Sequence, residues 1–294
     1  MIDTGRGTPV VFIHGFGASL YSWRKTLAPV LAAGYRVIAF DNRGFGFSDK
    51  PAPKVGGQKL YTNAAYAHLV VALLDTLNIP SAVIVGHSMG GAIAAEVALA
   101  YPDRVRGLVL IDAAGVGVRW PGALKVGRWP GAGGVAAALR GRWNTELVLR
   151  STYGDPSKVT EDDVDQYYAP VAEPGYDRAL RGVLREFRFD TLVGRLRAVA
   201  APTLVVWGGA DRWIPVRDGS RIATELPRGA FIVLPGVGHA AAEEAPDEVN
   251  RLLLAFLKEG LPRVPENLAW STPSSQFWRS SSPSIPPTRQ RSGN

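Results

Sequence analysis

This sequence predicts an α/β fold, a mostly parallel sheet with helices on both of its faces. Three observations predict it. Short, β-branched apolar runs recur along the chain, and each ends at glycine, proline or a polar residue. Segments with a helical apolar period lie between them. The runs are apolar throughout rather than alternating, as strands buried on both faces of a parallel sheet are.

The runs are Pro9 to Ile13, Tyr35 to Phe40, Ala82 to Val85, Leu108 to Ile111, Thr203 to Trp207 and Phe231 to Leu234. Helices are expected over Thr62 to Leu77, which stops before Pro80, and over the Ala-rich stretch Gly91 to Ala100. Another is expected over Pro246 to Leu257, with proline at a first-turn position and Gly260 past its end. From about 115 to 200 the strand signal disappears. That stretch is rich in Trp, Arg and Gly, with helical patterns at Val135 to Arg140 and Tyr176 to Phe187. It reads as a mostly helical insertion over the carboxyl edge of the sheet. The core is then 1–114 plus 201–262. Residues 263–294 are dominated by Ser, Pro and Arg towards their end and are expected to be disordered.

Composition narrows the function. The 294 residues are 46% hydrophobic and 20% charged, as in a globular protein. The net charge of +7 is scattered, with no basic run interleaved with aromatics, so a nucleic-acid partner is not expected. Without cysteine, disulfides, thiolate metal sites and a cysteine nucleophile are excluded. No apolar run approaches the ~20 residues of a membrane span. No signal peptide is visible, so a cytoplasmic protein, monomeric or homodimeric, is expected.

The chemistry centres on Gly86-His87-Ser88-Met89-Gly90, where a buried strand meets the Ala-rich helix. A turn this tight needs small neighbours and lifts the Ser88 hydroxyl above the sheet at the positive end of a helix. Ser88 is the candidate nucleophile. It needs a base, and the chain has four histidines. His14 is expected to tie loops together, and His68 to be a surface or packing residue. His87 is expected to point away from its neighbour Ser88. His239, after the last strand in a Gly-rich loop at the carboxyl edge, is the candidate base. Asp211 follows the preceding strand and is the candidate orienting carboxylate; Asp112 is its rival. The candidate oxyanion donors are the main-chain N–H groups of Phe16, in the loop after the first strand, and of Met89. Trp120, Trp129, Trp143, Tyr167 and Tyr168 are candidates for an apolar substrate pocket or, alternatively, for a small core within the insertion.

These motifs together resemble the α/β-hydrolase superfamily. His14-Gly15-Phe16-Gly17 is similar to its oxyanion loop. Asp41 to Asp49 is similar to the D-x-R-G-x-G-x-S segment of its esterase, epoxide-hydrolase and dehalogenase-like branch. Gly86 to Gly91 is similar to its nucleophile elbow, and Ser88, Asp211 and His239 follow its chain order. The resemblance implies that 115–200 is a helical cap roofing the pocket, inserted after the equivalent of the sixth strand. Members usually carry an antiparallel hairpin before the first motif, longer than the residues present here, so a shorter sheet is expected.

Within that branch, dehalogenases and epoxide hydrolases place Asp where Ser88 stands, which disfavours both. A prolyl aminopeptidase would show Trp after the serine. The expected activity is carboxylic-ester hydrolysis through an acyl-enzyme, on short- to medium-chain or aromatic small-molecule esters, with no metal or organic cofactor. Hydrolysis of a vinylogous diketone carbon–carbon bond is the alternative. Those enzymes share the Ser-Met-Gly-Gly elbow but resemble G-N-S-M-G-G more than G-H-S-M-G-G. Perhydrolase or lactonase side activity, or a non-catalytic binding module, stand further back.

Overall fold

The computed structural model describes residues 1–55, 57–116 and 141–261. The helical pattern at Val135 to Arg140, the residues Trp120 and Trp129, and the expected tail from 263 lie outside the described residues.

Each of the six apolar runs forms a strand. With β1 (Ile2–Thr4) ahead of them they are β2 (Pro9–Ile13), β3 (Arg36–Phe40), β6 (Ala82–His87), β7 (Val105–Ile111), β8 (Thr203–Gly208) and β9 (Gly229–Leu234). A hairpin of β4 (Lys54–Val55) and β5 (Gln58–Lys59) stands apart from them. The main sheet has seven strands in the order β1-β3-β2-β6-β7-β8-β9. Its pairings are parallel except at the edge, where Ile2 to Thr4 run antiparallel to Val37 to Ala39. That edge strand precedes the first apolar run and was not anticipated from the sequence. Three residues, only one of them apolar, carry no periodic signal.

The side-chain period of two explains why the runs do not alternate. Val11 and Ile13 belong to one core cluster and Val10 and Phe12 to the other. The helices are α1 (Arg24–Ala32), α2 (Asn63–Thr76), α3 (Met89–Ala100), α4 (Arg142–Thr152), α5 (Glu161–Ala172), α6 (Tyr176–Glu186), α7 (Val216–Glu225), α8 (Ala241–Glu244) and α9 (Pro246–Glu259). α2 starts where Thr62 accepts the Ala65 N–H, and it packs with α3 on the Val11 face. α9 lays Val249, Leu252, Leu253 and Phe256 on the Val10 face, all nearly inaccessible to solvent. Burying each side chain contributes about 1.5–3 kcal/mol.

Between β7 and β8 the described chain holds helices and no strand of the sheet. α5 opens with a capping box in which Thr160 and Asp163 satisfy each other's backbone. Side chains of α4, α5 and α6 face a cavity above the carboxyl ends of the strands.

Candidate active site

The turn after β6 holds Ser88 at φ 52°, ψ −118°, a conformation costing about 1–3 kcal/mol for a residue with a side chain. Its neighbours show why they are glycines. A Cβ on Gly86 would sit 2.3 Å from the Gly90 carbonyl oxygen, and one on Gly90 would sit 2.1 Å from that of Ile13. The turn is pinned where the Ser88 N–H donates to the Ile111 carbonyl at 3.0 Å.

Asp211 lies beyond the end of β8. Its Oδ1 accepts the N–H groups of Trp213 at 2.7 Å and Ile214 at 2.9 Å. Its Oδ2 lies 2.7 Å from His239 Nδ1. A carboxylate only accepts, so Nδ1 carries the proton and Nε2 is left bare. Nε2 lies 2.9 Å from Ser88 Oγ, placed to accept its proton. All three side chains are buried.

The loop carrying His239 is held from several sides. The His87 Nε2–H donates to the His239 carbonyl at 2.8 Å. The Ala240 N–H donates to the Thr152 carbonyl at 3.1 Å. The Trp213 ring stacks on the imidazole at 6.0 Å between centroids. Glu244 accepts three N–H groups: Gly238 at 2.7 Å and Gly154 at 2.9 Å on Oε2, and Asp155 at 2.8 Å on Oε1. One buried carboxylate therefore joins the His239 loop to the end of α4.

Asp112 is not next to His239. Its Oδ1 accepts the Gly208 N–H at 2.7 Å, and its Oδ2 has no partner among the described residues. Burial, with the charge of Asp211 adding to it, raises its pKa well above the carboxylate range. His14 bridges two loops: its Nδ1–H donates to the Gly15 carbonyl, and its Nε2 accepts the Asn42 N–H, each at 2.8 Å. His68 is exposed on α2.

Gly15 packs against Ser88, and Phe16 lines the cavity above it. Met89 opens α3, so its N–H has no acceptor inside the helix. The cavity encloses about 140 Å³. Leu149, Val171, Leu180, Phe189 and Trp213 give it an apolar wall, and Tyr167 and Glu243 contribute polar atoms. Trp143 departs from its expected place: it is 67% exposed on the outer side of α4. Tyr168 packs on the core rather than lining the cavity. Adjacent aromatics on a helix point about 100° apart, so Tyr167 and Tyr168 cannot both face inward.

His87 also departs from expectation. Its ring centroid lies 5.0 Å from that of His239, and it lines the same cavity. Burial, reinforced by His239, lowers its pKa to about 3, so it is neutral. Glu243 gave no sequence signal. It is buried and accepts from Arg24 and from the Tyr167 hydroxyl, while Arg24 also donates to Asp163 of α5. Burial raises the Glu243 pKa and Arg24 opposes that. Among the described residues no His, Asp and Glu cluster is spaced to hold a metal ion, and no helix is long and apolar enough to cross a membrane.

A serine, a bare imidazole nitrogen and a carboxylate in series under a cavity form the arrangement of a hydrolase. The chain belongs to the alpha/beta hydrolase fold family, whose sequence profile matches residues 8–246. It is 38% identical over 256 residues to the dihydrolipoyllysine-residue acetyltransferase component of an acetoin cleaving system from Pseudomonas putida. That match covers 86% of this chain but only 64% of the relative. It is 31% identical to a 2-hydroxy-6-oxo-6-phenylhexa-2,4-dienoate hydrolase from Burkholderia cepacia, over 88% of this chain and 90% of that one. Among solved structures it is similar to a meta-cleavage product hydrolase from Pseudomonas fluorescens IP01. There the TM-score is 0.76 and the identity 28%, covering 88% of this chain and 93% of the other.

Proposed function

We propose that this hydrolase cleaves carboxylic esters through an acyl-enzyme on Ser88. The observation that carries the reading is the continuous series Ser88 Oγ, His239 Nε2, His239 Nδ1, Asp211 Oδ2, with steps of 2.9 and 2.7 Å. His239 takes the serine proton as Oγ attacks the carbonyl carbon. Asp211 holds the tautomer and stabilises the imidazolium. The N–H groups of Phe16 and Met89 receive the oxyanion. His239 then gives its proton to the departing alcohol, and water deprotonated by the same imidazole releases the acid. Helices α4 to α6 serve as a cap over the cavity, within the expected span 115–200.

Carbon–carbon hydrolysis is the competing reading, and two of the relatives carry that activity in their names. A dienoate brings a carboxylate into the pocket. Among the described lining residues there is no Lys or Arg, and Glu243 is itself in the wall. A second carboxylate entering there would be desolvated beside the first, which favours a neutral ester. A panel of p-nitrophenyl esters of rising chain length, run beside a ring-fission dienoate, tests the choice. Ester turnover abolished by Ser88→Ala supports it. Inert esters with a cleaved dienoate overturn it.

A further inference from the structure

The polar atoms in the cavity wall around the His239 loop share one property: their protons are already committed. His87 spends its Nε2–H on the His239 carbonyl. A neutral imidazole has one N–H, so its Nδ1 is a bare acceptor, and no described residue donates to it. Tyr167 spends its only hydroxyl proton on Glu243 Oε1, leaving the phenol oxygen as an acceptor. Glu243 is a carboxylate with Arg24 and Tyr167 on its two oxygens. All three side chains line the cavity. A second, much smaller void of about 10 Å³ is lined by both His87 and Glu243, so the two residues are neighbours; Trp23, whose indole N–H has no partner among the described residues, lines that void but not the cavity. Besides Ser88 and His239, the other polar side chains of the wall are Asn144, Thr145 and Thr152 of α4, Tyr176, which opens α6 beside Gly17, and Trp213, whose indole N–H donates to Ser151. The rest of the wall is mainly apolar.

We propose that this acceptor-only pole selects esters whose acyl chain carries a neutral hydrogen-bond donor, a hydroxyl or an amide N–H, and discriminates against acyl chains ending in a carboxylate. The inference rests on the ester-hydrolase reading and deepens it. The acyl chain stays in the cavity through acylation and deacylation, so a donor on it meets these acceptors in both half-reactions. A plain alkyl chain brings no donor to His87 Nδ1 or to the Tyr167 oxygen, and an anionic one places charge against Glu243.

The test compares three p-nitrophenyl esters of similar length on the full chain: butyrate, 3-hydroxybutyrate and hemisuccinate. The hydroxy ester is expected to show about fivefold higher kcat/KM than butyrate, the yield of one net hydrogen bond. Hemisuccinate is expected to fall at least about tenfold below butyrate. In Tyr167→Phe the ratio of hydroxy ester to butyrate should drop towards one. Because it is taken within one enzyme preparation, that ratio is insensitive to a general loss of activity. If the variant does not fold, the wild-type series still decides. Butyrate turnover with no hydroxyl preference, or with hemisuccinate equally good, overturns this inference alone. Failure to hydrolyse butyrate at all, with the hydroxy ester inert too, defeats the ester reading and this inference with it.

Discussion

Glu244→Gln isolates the contact that joins the His239 loop to the helices above it. Wild-type Glu244 accepts the Gly154 and Gly238 N–H groups on one oxygen and the Asp155 N–H on the other. Glutamine keeps a single acceptor. Oriented best, it retains the two bonds on Oε2 and turns an NH₂ towards the Asp155 N–H; flipped, it loses two. A hydrogen bond to a charged group is worth about 1.5–3 kcal/mol, and Asp155 is exposed, so water can take up its N–H. The change is therefore expected to destabilise the fold by about 1.5–3 kcal/mol. Because Gly238 precedes His239, kcat should fall with it, and KM should move less. Urea unfolding followed by tryptophan fluorescence measures the first effect, and steady-state ester hydrolysis the second. Glu244→Asp, one methylene too short to span all three donors, should not restore the wild type. A loss under about 0.5 kcal/mol with unchanged kcat would refute the claim that this carboxylate positions the loop.

Arg24→Met should cost about 3 kcal/mol, since it leaves Glu243 buried without its cation, and adding Glu243→Gln should recover most of the loss in denaturant titrations. Asp211→Asn should lower kcat by about four orders of magnitude through the wrong imidazole tautomer, while Asp112→Asn should leave turnover within a few-fold in the same assay. Asp112 also predicts a pH effect. Its folded-state pKa lies above the unfolded value, so the stability it confers is complete below about pH 4 and declines as pH rises, by up to about 1.4 kcal/mol per unit. Asp112→Asn should match the wild type near pH 4 and be the more stable of the two at pH 8 in unfolding titrations.

The parts of the fold that depend on burial were legible in the sequence. The six strands that form the parallel part of the sheet carry continuous apolar runs because both of their faces are covered. The ends of α2 and α9 carry capping and proline signals that act locally. β1 and α5 were not legible. β1 takes its pairing from the edge of β3, and α5 opens Glu-Asp-Asp-Val-Asp, polar enough to read as a loop. Turn chemistry and chain order singled out Ser88, Asp211 and His239, whose side chains lie within hydrogen-bond distance in series, and His14, which joins two loops. His87, Glu243 and Glu244 were missed because their roles arise between segments distant in sequence. His87 meets His239 across 152 positions, and Arg24 meets Glu243 across 219. Within the sequence, Glu243 and Glu244 are two acids in a helix's first turn, where a solvated position is the ordinary expectation. Trp143 shows the converse error. A large aromatic in the insertion suggested a pocket wall, but its position on α4 turns it outward.

Rapid quenching of the enzyme with p-nitrophenyl butyrate, followed by peptide mass spectrometry, tests the central claim most directly. The account predicts a butyryl adduct on the peptide containing Ser88, formed with a burst of p-nitrophenol and absent from Ser88→Ala. Steady turnover with no adduct, persisting in Ser88→Ala, would contradict it.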